Sequence, residues 1–357
     1  MPNSEPVHTT TADRAPQGVV VTVAGEIAPD ALGAVLPREH LLGDFTSPAG
    51  RASRRPPYRT QFYRAPLTMA SLGEIALGAP NRDNLLLDDR DVAVAEAAAL
   101  RRAGGGTLVD VTTPDLGRDP AGLRRIAEAA GLHVVMGAGR HHPARTDGSR
   151  DAEPLVEEIV RDLTEGVDGV RAGVIGALAA LDPADAAERA VLVAAARASA
   201  ATGAPVSLTR SADPVVQQRV LDLLAEEGAD LARVAVGHCD PLSPHPDDLE
   251  PLLARGVFVQ FDRLGLLPSV YSVSDDQDVA AAVLDLARRG RAGQVLLSQG
   301  VCAKAQLLAH GGGGYGFVLR QFAPYLRMVG ADDALVETLT VRNPRRFLTT
   351  PARRADS

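Results

Sequence analysis

From residue 17 to 350 one pattern recurs along the chain. A short apolar, β-branched run leads into a loop. An Ala-, Leu- and Arg-rich stretch follows, with apolar residues every three or four positions. The pattern predicts strands at 33–40, 106–113, 133–139, 170–176, 204–209, 233–238, 257–262 and 294–300. Helices are predicted at 91–104, 183–203 and 213–228 among others, often with a glycine just past the helix end. Eight apolar strands alternating with helices fit a closed parallel barrel better than an open sheet. The expected architecture is therefore α/β, a (β/α)8 TIM barrel, in one domain over 17–350. Residues 1–16 and 351–357 are expected to be tails. The rhythm breaks at 41–90, which is Pro- and Arg-rich and reads as a long loop with a short helix after strand 1. A second long segment, 263–279, follows strand 7, and Gly311–Gly316 (GGGGYG) lies beyond strand 8.

Composition narrows the partners. The net charge is −8 and no basic block exists, so nucleic acid is not an expected partner. No apolar run is long enough to span a membrane, and the N-terminus carries no secretion signal, which points to a cytoplasmic protein. Lys304 is the sole lysine beside many arginines, and alanine is abundant, a bias that suggests a GC-rich, actinobacterial genome. Cys239 and Cys302 have no zinc spacing and are expected to be buried filler.

In such a barrel, chemistry sits at the C-terminal strand ends. The polar residues there are Arg38, Glu39 and His40; Asp110 and Asp115; Arg140, His141 and His142; Thr209 and Arg210; His238, Cys239 and Asp240; Asp262 and Arg263; Ser298 and Gln299. Strand 4 contributes none, because Gly176, Ala177 and Leu178 are bare. Strand alternation puts Arg38 and His40 on one face and Glu39 on the other. His40 and His238 are candidate proton carriers near neutral pH, or hydrogen-bonded barrel histidines without a role. A guanidinium in a barrel mouth needs a partner. Arg38 thus either pairs with Asp262 or clamps an anionic ligand. Gly311–Gly316 has no Lys-Ser/Thr after it and is read as a plain loop.

Several stretches together resemble the phosphotriesterase family: PREHLLGDF (37–45), YRAPLTMASLG (63–73), NRDNLLLDDRDVAVAE (81–96), GGGTLVDVTTPDLGRDP (104–120), RAGVIG (171–176), VGHCD (236–240), VQFDRLG (259–265), LLSQGVCAKAQL (296–307) and TVRNPRRFL (340–348). The resemblance implies a barrel hydrolase with two divalent metals, usually zinc, that activate a bridging hydroxide. It implies six ligands: a His-x-His pair on strand 1, a bridging acid on strand 4, one histidine each on strands 5 and 6, and an aspartate on strand 8. This sequence departs at four of the six, with Arg38, Gly176 or Ala177, Thr209 and Gly300 at those positions. Only His40 and His238 remain. Two imidazoles without a carboxylate make a weak zinc site, and Arg38 brings a fixed positive charge to it.

The resulting expectation is an enzyme without a metal or other cofactor: a lyase, cyclase, isomerase or hydrolase in specialised metabolism. Its small-molecule substrate would be acidic or carbonyl-bearing. Arg38 would bind an anion, His40 and His238 would serve as acid and base, and Asp262 would orient one of them. Arg263, His141, Thr209 and Arg210 would contact substrate. Two alternatives stand beside it. One is a non-catalytic protein that binds a ligand or a partner. The other is a zinc hydrolase with ligands rebuilt from His40, His238, His141, Asp262 or Asp240. The family resemblance also suggests a homodimer.

Overall fold

The computed structural model describes residues 18–46, 56–145, 148–266 and 272–351. Eight parallel strands lie in sequence order around one sheet: β1 (Ala34–Glu39), β2 (Gly105–Asp110), β3 (His133–Ala138), β4 (Val174–Leu178), β5 (Val206–Thr209), β6 (Val234–Gly237), β7 (Phe258–Phe261) and β8 (Val295–Leu297). Between them run α1 (Arg90–Arg102), α2 (Pro120–Ala130), α3 (Glu153–Thr164), α4 (Ala186–Thr202), α5 (Pro214–Glu226) and α6 (Asp276–Arg288). Aspartates start most of these helices. Asp89, Asp119, Asp185, Asp213 and Asp275 each accept amide hydrogens of the first turn, which otherwise have no partner.

Strand alternation sorts the core into two layers. Leu36, Leu108, Val134, Met136, Ile175, Val236, Val259 and Leu297 face the helices. Val35, Val109, Val135, Val174, Ala235, Phe258 and Leu296 face inward, where Phe347 packs edge-on against Phe258 at 5.7 Å and closes the N-terminal end. The barrel is therefore filled at its base, and its polar side chains gather at the C-terminal mouth.

The β1–β8 seam closes by side chains rather than a strand ladder. The Ser298 hydroxyl bridges the Arg38 N–H and carbonyl, 3.1 Å from each, and lies 2.7 Å from Glu39. Glu39 accepts the amides of Gln299 (2.7 Å) and Val301 (2.8 Å). Glu39 thus points outward and pins the seam, while its neighbours turn in.

One strand boundary needs adjusting, and two features are added. The fourth strand begins at Val174, not 170, because Val167 and Val170 pair with each other and the Ala172 amide bonds Asp162. Before β1 lies an antiparallel hairpin, Val20–Thr22 with Gly25–Ile27, that the pattern did not announce. Within 41–90, helix Pro57–Arg64 is present, and the segment returns to the barrel through the pairing of Gly43–Asp44 with Leu86–Leu87. Residues 47–55, the expected 1–16 tail and most of 351–357 lie outside the described residues, as does 267–271 within the segment after β7. No helix among the described residues is long and apolar enough to cross a membrane.

Candidate functional site

Above the apolar base the barrel turns polar. Arg38 points into its centre, with its side chain 4% exposed. The guanidinium reaches Asp262 Oδ2 through Nε (3.1 Å), Ser207 Oγ through Nη1 (3.0 Å) and Thr209 Oγ1 through Nη2 (2.7 Å). Of the two roles open to Arg38, the geometry realises the internal pair. Gly237 makes room for it: a Cβ there would lie 2.4 Å from Asp262 Oδ2 and 3.3 Å from Arg38 Nη1.

Asp262 is fully buried and serves four donors. Its Oδ2 takes Arg38 and the Gln260 amide (3.0 Å). Its Oδ1 takes the backbone N–H (2.9 Å) and ring Nδ1 (2.6 Å) of His238. Burial pushes this carboxyl up, but the charges of His238 and Arg38 and the hydrogen bonds of His238 outweigh it and hold it below the usual aspartate range. His238 sits at φ 57, a conformation uncommon for a side-chain-bearing residue, fastened at both its amide and its ring. A carboxylate only accepts, so Nδ1 carries the proton. In its neutral form the ring offers its lone pair at Nε2. The His238 side chain is 41% exposed, so this nitrogen belongs to the open part of the site.

His40 differs. It is buried, its Nδ1 lies 2.9 Å from Thr112 Oγ1, and its ring packs edge-on against Phe45 at 4.6 Å. Burial and then the Arg38 charge push its pKa well below the usual histidine value, so it is neutral at neutral pH. Its carbonyl accepts the Tyr315 hydroxyl at 2.5 Å. The GGGGYG loop, read as a plain connection, therefore supports the site.

The other predicted residues divide. Thr209 is committed to Arg38. Arg210 is half-buried on the carbonyls of His238 (3.4 Å) and Ser211 (2.8 Å). Arg263 is exposed at the rim, and its backbone N–H is held by Asp240 (3.0 Å). His141 is half-buried, with Nδ1 2.9 Å from the Ala177 carbonyl and its amide on Asp115. Arg140 turns to a bidentate pair with Glu158, and His142 to Glu188 at 3.4 Å. Cys239 is buried, and burial pushes its thiol up to about 12. Cys302 is half-buried rather than buried, because it follows the bend after β8 at the mouth. Burial still pushes its thiol up to about 11. Neither thiol is a ready nucleophile. The reading missed Ser207 and Gln260, although each lies two residues before an inward polar residue on its strand and so shares its face.

A profile of the phosphotriesterase family matches residues 18–348. The chain belongs to the phosphotriesterase family. It is 30% identical to an N-acetyltaurine hydrolase of Salmo salar, over 93% of this chain and 98% of that one. Among solved structures it is similar to a resiniferatoxin-binding protein from Rhodobacter sphaeroides, at 37% identity and TM-score 0.85, covering 93% of this chain and 95% of that one. It is also similar to a phosphotriesterase homology protein from Escherichia coli, complexed with phosphate in its active site. There the identity is 27% and the TM-score 0.72, over 89% of this chain and 99% of that one.

The donors present in this phosphotriesterase-family barrel do not fit the two-metal centre that the resemblance implies. Among the described residues no three His, Cys, Asp or Glu side chains converge so as to hold a metal ion. The Arg38 guanidinium stands where a ligand histidine is expected. At Gly300, the expected aspartate position, φ is 57 and a Cβ would lie 2.5 Å from the Asp262 carbonyl oxygen, so the backbone leaves no room for a side chain.

Proposed function

We propose that this hydrolase-fold protein is an enzyme working without the binuclear metal centre, with His238 as its general base. The observation that carries the reading is the dyad: Asp262 on His238 Nδ1 at 2.6 Å, with the ring open to the mouth. An imidazole so held takes a proton at Nε2 from water or from a substrate hydroxyl and later returns it to the leaving group. The ionised Asp262 stabilises the imidazolium in between. Arg38 keeps Asp262 ionised and adds positive potential beneath the reacting centre. Being enclosed, it does not itself contact substrate. Direct contact with an anionic group of the substrate falls to Arg263 at the rim, and His40 serves as a second, neutral proton partner.

The substrate class that suits this mouth is a small ester, lactone or amide carrying an acidic group. The similar N-acetyltaurine hydrolase acts on an amide bond by its name, which supports hydrolysis over the lyase, cyclase and isomerase alternatives. The test is a panel of lactones, N-acyl amino acids and aryl esters assayed on chelator-treated protein. His238→Ala should lower kcat/KM on the responsive substrate by about 10²–10⁴-fold. Unchanged turnover would remove His238 from the chemistry.

A second reading is ligand capture without turnover. The 37% identical resiniferatoxin-binding protein favours it, as does the enclosure of Arg38. Saturable binding of a panel compound that is recovered intact would support it over the enzyme.

A further inference from the structure

Asp240 lies just after β6, is 5% exposed, and holds the end of the neighbouring strand. The β6–β7 ladder reaches Val236 and Val259, and one more bond joins the Cys239 amide to the Gln260 carbonyl at 3.1 Å. Beyond that point no backbone carbonyl among the described residues accepts the Asp262 and Arg263 amides. The Asp240 carboxylate takes both, the Asp262 N–H at 3.2 Å on Oδ2 and the Arg263 N–H at 3.0 Å on Oδ1. It thereby extends the strand pairing by the two residues that carry Asp262 inward and Arg263 to the rim.

A buried carboxylate beside Asp262 is an expensive way to satisfy two amides, since the two acids repel. Burial and that repulsion push the Asp240 carboxyl above its usual range. A plain turn would place the chain there without this cost. What the arrangement adds is direction. Asp262 reaches both the backbone amide and the ring Nδ1 of His238 only if its backbone is held, and His238 keeps its left-handed conformation only if Asp262 stays on it.

We infer that Asp240 is a positioning residue: by clamping the Asp262 and Arg263 amides it sets the Asp262–His238 hydrogen bond and aims Arg263. The consequence for turnover rests on the proposed role of His238, but the geometric statement does not. The charged and titratable groups that act with His238 are Asp262 on its amide and ring Nδ1, His40 through charge, and Arg210 on its backbone carbonyl.

The experiment is nuclear magnetic resonance of the full-length protein with ¹⁵N-labelled histidine, comparing wild type, Asp240→Asn and Asp240→Ala. An Nδ1 proton shared with a carboxylate gives a far-downfield resonance. Loss of charge at Asp240 alone would leave that resonance in place. Misplacement of Asp262 abolishes or displaces it. The expected result in Asp240→Ala is loss of the resonance. A loss of about 10²-fold in kcat/KM on the responsive panel substrate should accompany it. Asp240→Asn keeps one acceptor and should show a smaller change of the same kind, which covers the case in which the alanine variant does not fold. A resonance retained at its wild-type position in the folded variants overturns the inference. If the resonance is lost in Asp240→Ala while His238→Ala retains turnover, the role of His238 as base falls and the placement of Asp240 stands.

Discussion

Glu39 and Asp262 are both fully buried acids at the end of a barrel strand, yet they do opposite work. Glu39 faces outward into the β1–β8 seam, and its partners there are uncharged: the Ser298 hydroxyl and two backbone amides. Burial prevails over those bonds and pushes its carboxyl up to about 7. Asp262 faces the barrel centre and meets a guanidinium and an imidazole. Those charges prevail over burial and hold its carboxyl down. One acid closes the scaffold with all its partners enclosed. The other keeps a partner, His238, that reaches the open mouth. What separates a structural buried acid from a chemical one here is the exposure and charge of its partners, not the depth of the carboxyl itself.

The comparison can be broken by deleting each acid in turn. Asp262→Ala leaves the enclosed Arg38 unpaired and should cost about 3–5 kcal/mol in denaturant unfolding. It should also abolish turnover on any responsive substrate. Glu39→Ala leaves two amides without acceptors and should cost about 2–4 kcal/mol. The mouth partners of His238 would be undisturbed, so the folded variant should retain most turnover. Equal loss of turnover in both folded variants would dissolve the distinction.

The pH dependence of stability should carry opposite signs. The raised Glu39 leaves the unfolded chain to ionise first, so its contribution is full below about pH 4.5 and is lost as pH rises towards 7, by about 3 kcal/mol. The lowered Asp262 contributes above the usual aspartate value of 3.8 and loses that contribution as pH falls below it. His40, also lowered, loses stability as pH falls below 6.5 and partly masks Glu39. The clean readout is therefore the difference between wild type and Glu39→Gln across pH 4.5–7. A difference that does not vary with pH would show that Glu39 is ionised throughout. The smallest effect belongs to Arg263→Ala. At an exposed rim it should change stability by less than about 0.5 kcal/mol. It should still raise KM for anionic substrates more than for neutral ones.

Much of this was readable in the residues. The repeat of apolar runs and helical stretches yields the barrel, and alternation over Arg38, Glu39 and His40 correctly separates inward from outward. The choice between the two roles of Arg38 was not readable. It depends on Gly237 leaving space and on Ser207 and Thr209 facing across the barrel, and such long-range matches have no local signature. The seam role of Glu39 and the double amide contact of Asp240 were hidden for the same reason. Each joins segments brought together only by the barrel's curvature. The start of β4 was misplaced because 170–176 reads as one run, whereas the Val170 amide closes a turn and the Ala172 amide bonds α3.

The account turns on Arg38 and the remaining donors having replaced a metal centre rather than rearranged one. The most direct test is zinc stoichiometry by mass spectrometry, on purified wild-type protein equilibrated with excess zinc and then desalted. The account predicts no stoichiometric zinc, and no loss of turnover on chelation. Retention of about one or two zinc ions per chain would contradict it.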